Sequence, residues 1–272
     1  MGFNRSDYSH VWTREATLED LNARIHDGVP LDKLLPCAAG YRDTMFEILY
    51  PQARPRAGDL VVEFGSGVGW VMEAVSGRYD VGRIVGLDIS AATIARARER
   101  WPDPRASFVQ YDGLRLPFAD ASIPSLYSCA VIQHIDKHVA FLLLKEIFRV
   151  MARDGHAVLH FLSVHHIKRN CVPFEEECWN HVNSNQEVHW HHYYSFDELF
   201  TIFHELIGVD ELDIQHYPDE SSFFVHFSRS TGRPFARPEL PSLAYPGRMA
   251  VGDHVVNLTS RIWQKATSLL RP

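Results

Sequence analysis

Through its middle the chain alternates short apolar runs with longer amphipathic stretches. The apolar runs fall at 60–64, 83–88, 106–111, 125–131 and 156–161. They are short and bounded by turn residues, so they read as strands. Between them, helices are predicted from Gly69, over 91–100 and over 137–150. This alternation predicts an α/β fold, a doubly wound and mostly parallel sheet with helices on both faces. Two closely spaced runs near 209–216 and 222–228 predict an antiparallel hairpin at the end of the sheet. Ahead of it, Thr17-Leu18-Glu19-Asp20 has the form of a helix start, and a second helix is predicted over 39–50 before Pro51, Pro55 and Gly58 break the chain. The stretch 162–194 is long and irregular. Ser195-Phe196-Asp197-Glu198 then caps a helix reaching about Leu206. The chain thus divides into an N-terminal helical cap (1–57), a doubly wound domain (58–231) with an insertion at 162–194, and a proline-rich linker with a C-terminal helix (232–272).

The polar residues at the strand ends add chemistry to this frame. Leu60 to Gly69 reads LVVEFGSGVG, an apolar run ending in Glu63 and followed by Gly65, Gly67 and Gly69. Glycines between a buried strand and a helix allow a tight turn and close approach of backbone to a ligand. A dinucleotide loop places its last glycine where this chain has Trp70. The carboxylate two residues before Gly65 suits a ligand with a cationic end better than a pyrophosphate. The next run ends in Asp88, at the strand tip where a doubly wound sheet presents an acid to ribose hydroxyls. The third ends in Asp112-Gly113, placed to meet an adenine amino group.

In these residues the chain resembles the class I S-adenosylmethionine-dependent methyltransferases. EFGSGVG is similar to that family's glycine loop, GLDIS to its ribose-binding acid, YDG to its adenine contact, and LPFADASI (116–123) to the stretch before its fourth strand. The resemblance covers about 58–228. It implies a seven-stranded sheet and a cofactor, S-adenosylmethionine, held by Glu63, Gly65, Ser66, Gly67, Asp88, Ile89, Asp112, Gly113 and Cys129.

Formal charge is −7, with 27 basic and 34 acidic residues. This argues against a nucleic-acid partner, which calls for a basic face. No apolar run is long enough to span a bilayer. The four cysteines (Cys37, Cys129, Cys171, Cys178) include no Cys-x-x-Cys pair, so a reduced, cytoplasmic setting is the simplest expectation. In the last helix Val251, Val255, Leu258, Ile262, Ala266 and Leu269 form one apolar stripe. The stripe suits packing on the core, on a second copy in a homo-oligomer, or on a membrane surface.

Methyl transfer to a hydroxyl needs a base or a metal, because the hydroxyl must lose its proton; an amine needs little help. The fourth run ends in Gln133-His134-Ile135-Asp136. Some small-molecule and sugar O-methyltransferases are similar here, with a His-His pair before the acid, and this chain departs from them at Gln133. Candidate bases are therefore His134, His160 near the end of the fifth run, and His165 just beyond. Each can instead be a packing or capping residue. Asp136 can orient an imidazole or cap the helix at Lys137. Sixteen histidines is a high number, and seven lie between His160 and His192. The expected acceptor wall comprises Gln133, His166, Trp179, Trp190 and Tyr193, suited to a small molecule or glycan. Cys178-x-x-His181 has a ligand-like spacing but no matching second half; a divalent metal among these histidines and Glu175–Glu177 stays an alternative and is not the expectation. N- or C-methylation of a small metabolite, or cofactor binding without catalysis, remains an alternative.

Overall fold

A computed structural model describes residues 17–25, 29–166, 191–217 and 220–229. Trp179, Trp190, the Cys178–His181 spacing, the linker and the C-terminal helix lie outside the described residues, so the expectations placed on them are not addressed. By compactness 1–233 forms one unit and 234–272 another; all described residues belong to the first.

The described strands are β1 (Leu60–Phe64), β2 (Arg83–Asp88), β3 (Ala106–Gln110), β4 (Ile123–Ser128), β5 (Met151–Ser163), β6 (Tyr193–Tyr194), β7 (Glu211–His216) and β8 (Ser222–Ser228). They form one sheet in the order β3-β2-β1-β4-β5-β8-β7, with β6 off this path on β5. Pairs from β3 through β5 are parallel, and β8 is antiparallel to both β5 and β7. This is the expected doubly wound sheet with its closing hairpin. Buried aliphatic and aromatic residues fill both faces, with Val62, Leu126, Leu159 and Phe161 in one core layer and Val61, Ile84, Tyr127 and Val158 in the other. Strands covered on both faces read as continuous apolar runs, which is why they were legible.

Helices flank the sheet: α1 (Leu18–Ile25), α2 (Leu31–Asp43), α3 (Trp70–Arg78), α4 (Ala91–Arg100), α5 (Lys137–Val150) and α6 (Phe196–Phe200). Four starts are closed by side chains. Thr17 and Asp20 bond reciprocally, Ser90 Oγ accepts from Thr93 N, Asp136 from His138 N, and Ser195 from Glu198 N. Asp136 is thus a helix cap, the second of its two expected roles. Its contact with His138 Nδ1 is at the exposed surface.

Several boundaries differ from expectation. Helix α2 begins at Leu31 and runs through Pro36 to Asp43, followed by a π-helical turn over Thr44–Leu49. It starts eight residues before the expected 39. Arg42 Nη1 donates to Ala74 O (3.0 Å), so α2 braces α3. Strand β4 begins at Ile123, because a register irregularity between Ile123 and Ser125 accommodates Pro124, which has no N–H to give the ladder. It ends at Ser128 rather than 131, because Ala130 takes a positive φ of 57° and turns the chain. Strand β5 runs 13 residues, 151–163, well beyond the expected 156–161.

The extra length of β5 positions a roof. Leu162 pairs with Ser222 of β8 on one side and with Tyr193 of β6 on the other. Strand β6 therefore lies on the β4 side of β5, past the end of β4. His192 N donates to Gln133 O (2.7 Å), tying the incoming chain to the turn after β4.

Away from this edge, His156 Nδ1 and His226 Nε2 are 3.1 Å apart, their rings stacked, and the Tyr50 ring also stacks on His226. Burial disfavours a charge on either ring. It lowers the pKa of His226 from 6.5 to about 4. The unfolded chain takes up this proton below about 6.5, and the folded chain only near 4. Stability from this group is therefore lost as pH falls through that window. Chemical denaturation at pH 7 and pH 4.5 should show the wild type losing about 1–3 kcal/mol more than His226→Leu. Equal losses would show that burial does not hold His226 neutral.

Candidate active site

The site is assembled at the carboxyl edge of β1, β2 and β4, where such sheets hold ligands. The glycine loop has positive φ at Gly65 (74°), Gly67 (52°) and Gly69 (85°). These are values that residues with a Cβ rarely adopt. Gly65 N and Ser66 N both donate to Leu87 O at 2.8 Å, fastening the loop to β2. A Cβ on Gly65 would lie 2.4 Å from Val131, and one on Gly69 2.9 Å from the Phe108 ring. The loop thus touches the turn after β4 directly. Ser66 is buried, and its Oγ has no partner among the described residues.

Trp70 stands where a dinucleotide loop has its third glycine, and Arg100 accounts for it. The Arg100 guanidinium lies 3.8 Å over the indole, donates to Val68 O (2.8 Å) and pairs with Glu73 (2.6 Å). One side chain from α4 thereby fixes the loop and the first turn of α3. Nothing local in the sequence marks Arg100, because its partners are 27–32 residues away.

Asp88 Oδ2 accepts from Gly67 N (3.0 Å) and Oδ1 from Ser90 N (2.9 Å). Burial raises its carboxyl from 3.8 to about 6 against these hydrogen bonds. Glu63 is 2% exposed. It accepts from Tyr127 OH (3.3 Å) and from the Met72 backbone, and burial pushes its carboxyl well above the usual range. Its place is beneath the loop, between β1, β4 and the start of α3. Ile89 and Gly113 approach closely: a Cβ on Gly113 would lie 3.7 Å from Ile89 Cγ2. Asp112 is exposed and caps its own turn, accepting from Leu114 N and Arg115 N at 2.8 Å. An open cleft of about 420 Å³ runs beside it along Gln110–Phe118. Cys129 is buried close to Glu63, which helps raise its thiol pKa.

Of the expected acceptor residues, the described ones, Gln133, His166 and Tyr193, lie around the turn after β4 and the returning β6. Ile132–His134 is a single 3₁₀ turn whose His134 N donates to Val131 O (2.9 Å). The His134 ring centroid is 5.0 Å from that of His191, His191 is 6.3 Å from Tyr193, and Tyr193 is 6.0 Å from His166. His191 and Tyr193 reach this wall only because β6 returns beside β5. His191 lacked any signal in the sequence that set it apart from its neighbours. The His165 ring lies beside that of His216 (6.1 Å). His160 is 6% exposed, and its Nδ1 accepts from Ala130 N (3.2 Å). That bond leaves the hydrogen of the neutral ring on Nε2, and burial lowers its pKa to about 4. Among the described residues, no three His, Cys, Asp or Glu side chains group as metal ligands, and no helix is long and apolar enough to cross a membrane.

Residues 62–159, the span that holds the loop, Asp88, Asp112 and His134, match the methyltransferase domain family. The chain carries a class I S-adenosylmethionine-dependent methyltransferase domain. Over 152 residues it is 26% identical to a malonyl-[acyl-carrier protein] O-methyltransferase of Marinomonas sp. (56% of this chain, 54% of that one). Over 111 residues it is 33% identical to a protein of Mycolicibacterium smegmatis named as an S-adenosylmethionine-dependent methyltransferase (40% of each). The chain therefore spans about half or less of the length of these relatives. Among solved structures it is similar to the methyltransferase in a Haloferax volcanii complex with the Trm112 activator (TM-score 0.55, 17% identity, 79% of this chain and all of that one). It is also similar to a Methanosarcina mazei methyltransferase (TM-score 0.55, 16% identity, 67% and 98%). At these identities the likeness concerns the fold alone.

The methyltransferase domain's loop fits the expected cofactor: glycine backbone free of Cβ atoms, a buried hydroxyl at Ser66 without a partner among the described residues, and a half-buried acid at the tip of β2. Asp88 should accept hydrogen bonds from ribose hydroxyls only when ionised. Affinity for S-adenosylhomocysteine should therefore weaken as pH falls below about 6. Asp88→Asn should weaken it by about 1–3 kcal/mol and abolish that pH dependence. Calorimetry at pH 5 and pH 8 checks both. A pH-independent wild type would remove Asp88 from the site.

Proposed function

We propose that the protein is an S-adenosylmethionine-dependent methyltransferase acting on an oxygen of a small-molecule or glycan acceptor, with His134 as general base. The observation that carries this reading is the contact of Val131 with Gly65. It puts the turn bearing His134 immediately against the glycine loop, with a wall of imidazole and phenol groups beside it. The O-methyltransferase named among its relatives supports oxygen as the target.

S-adenosylmethionine, when bound, supplies an electrophilic methyl on a sulfonium sulfur. The protein's own work is to hold the acceptor, exclude water and take a proton. Gly65, Ser66, Gly67 and Asp88 would hold the cofactor's amino-acid and ribose parts, and Ile89, Asp112 and Gly113 the adenine. Glu63 would shape the loop from below. His134 would remove the proton from the acceptor oxygen as the new bond forms. His160 is the weaker candidate, since its Nδ1 is engaged and its pKa of about 4 leaves it a poor base at neutral pH. It would orient the turn through Ala130. His165, whose ring lies beside that of His216, comes last.

His134→Ala should lower kcat by about 10²–10⁴ while affinity for S-adenosylhomocysteine stays near wild type. Turnover should also fall at acid pH in the wild type and lose that dependence in the variant. Full turnover by His134→Ala would reject the base, and chelator sensitivity would then point to a metal-bound alkoxide.

A further inference from the structure

The residue that departs from the His-His pattern of similar enzymes, Gln133, is 6% exposed. Its backbone carbonyl is engaged by His192 N (2.7 Å). Its side-chain Oε1 is buried and has no hydrogen-bond partner among the described residues. A buried amide oxygen without a donor is costly, so natural structures keep such atoms paired or reserve them for a ligand. Other buried polar atoms share this condition, including Ser66 Oγ, Ser125 Oγ and Tyr194 OH. Gln133 stands out by its place, next to His134 and two residues from the valine that meets Gly65.

An amide oxygen only accepts. In the orientation the side chain takes, with Oε1 and not Nε2 as the unpartnered buried group, it is satisfied by an O–H or N–H and set against a carboxylate, which brings a second acceptor and a negative charge. From this we infer that Gln133 is a specificity-determining residue whose Oε1 accepts a hydrogen bond from a hydroxyl of the methyl acceptor, so that the enzyme selects alcohols, phenols or sugars over carboxylates. The inference rests on the O-methylation reading and narrows it. It sets this chain apart from a relative whose name points to a malonyl group. A site built to hydrogen-bond a substrate hydroxyl discriminates strongly against analogues that leave its own group unpaired.

The test compares wild type with Gln133→Met, which keeps the volume and removes the acceptor, in three measurements. Without ligand, the variant should melt at or above the wild-type temperature, since an unpaired buried oxygen is replaced by an apolar group. A fall of several degrees would mean the amide already bonds within the protein and would overturn the inference. By calorimetry, affinity for S-adenosylhomocysteine should stay within about twofold; a tenfold loss would assign the amide to the cofactor instead. Production of S-adenosylhomocysteine is then followed with benzyl alcohol against benzoate and butane-1,3-diol against malonate. Wild type should prefer the alcohols, and Gln133→Met should lose about tenfold or more in kcat/KM on them. Preference for the carboxylates, or full activity in the variant, would overturn it. A wild type that binds S-adenosylhomocysteine yet methylates neither series contradicts the O-methylation reading itself, and the melting and calorimetric results then decide the role of Gln133 separately.

Discussion

The site depends on one close approach. Gly65 lies so near Val131 that a single added carbon would overlap the valine side chain at 2.4 Å. That contact joins the loop after β1 to the turn after β4, although the two are far apart in sequence. Everything at the ligand edge follows from it. The loop is held from behind by two bonds to Leu87 O and from the side by Asp88 through Gly67 N. Arg100, stacked on Trp70, holds it through Val68 O, and Glu63 ties β1 to β4 and to the first turn of α3 through Tyr127 and the Met72 backbone. A substitution at Gly65 would have to move a packed β4 turn, and interiors at crystal-like density yield little room for that.

Rigidity of the loop is matched by polar atoms whose partners come from several elements. Asp88 is half-buried, and its desolvation pushes its pKa to about 6 even with two backbone donors on its oxygens. The sign of this shift means that ionised Asp88 costs the ligand-free fold stability, which donors arriving with a ligand would offset. His160 shows the opposite arrangement. Its ring is committed to Ala130 and kept neutral by burial, so it serves the turn rather than the proton transfer.

Much of this was readable in the sequence because it depends on local signals. The apolar runs gave β1 and β2 to the residue, and Ser90, Asp136 and Ser195 marked three helix starts. The glycine loop, Asp88 and Asp112-Gly113 appeared at strand ends in order. What escaped depends on pairing between distant segments. Pro124 is tolerated because a bulge spares it a ladder bond, and β5 extends to 163 because both β8 and β6 pair with it. His191 joins His134 only through that pairing. The role of Arg100 needed α4 to lie over α3, and the tautomer of His160 needed Ala130 at positive φ. No periodicity announces such contacts.

The most direct test of the account is calorimetric titration of S-adenosylhomocysteine, and separately of NAD, into wild type and into a folded Gly65→Ala variant. The account predicts one site per chain for S-adenosylhomocysteine in the wild type, no binding of NAD, and loss of binding in Gly65→Ala. Unimpaired binding by Gly65→Ala, or wild-type binding of NAD in place of S-adenosylhomocysteine, would contradict it.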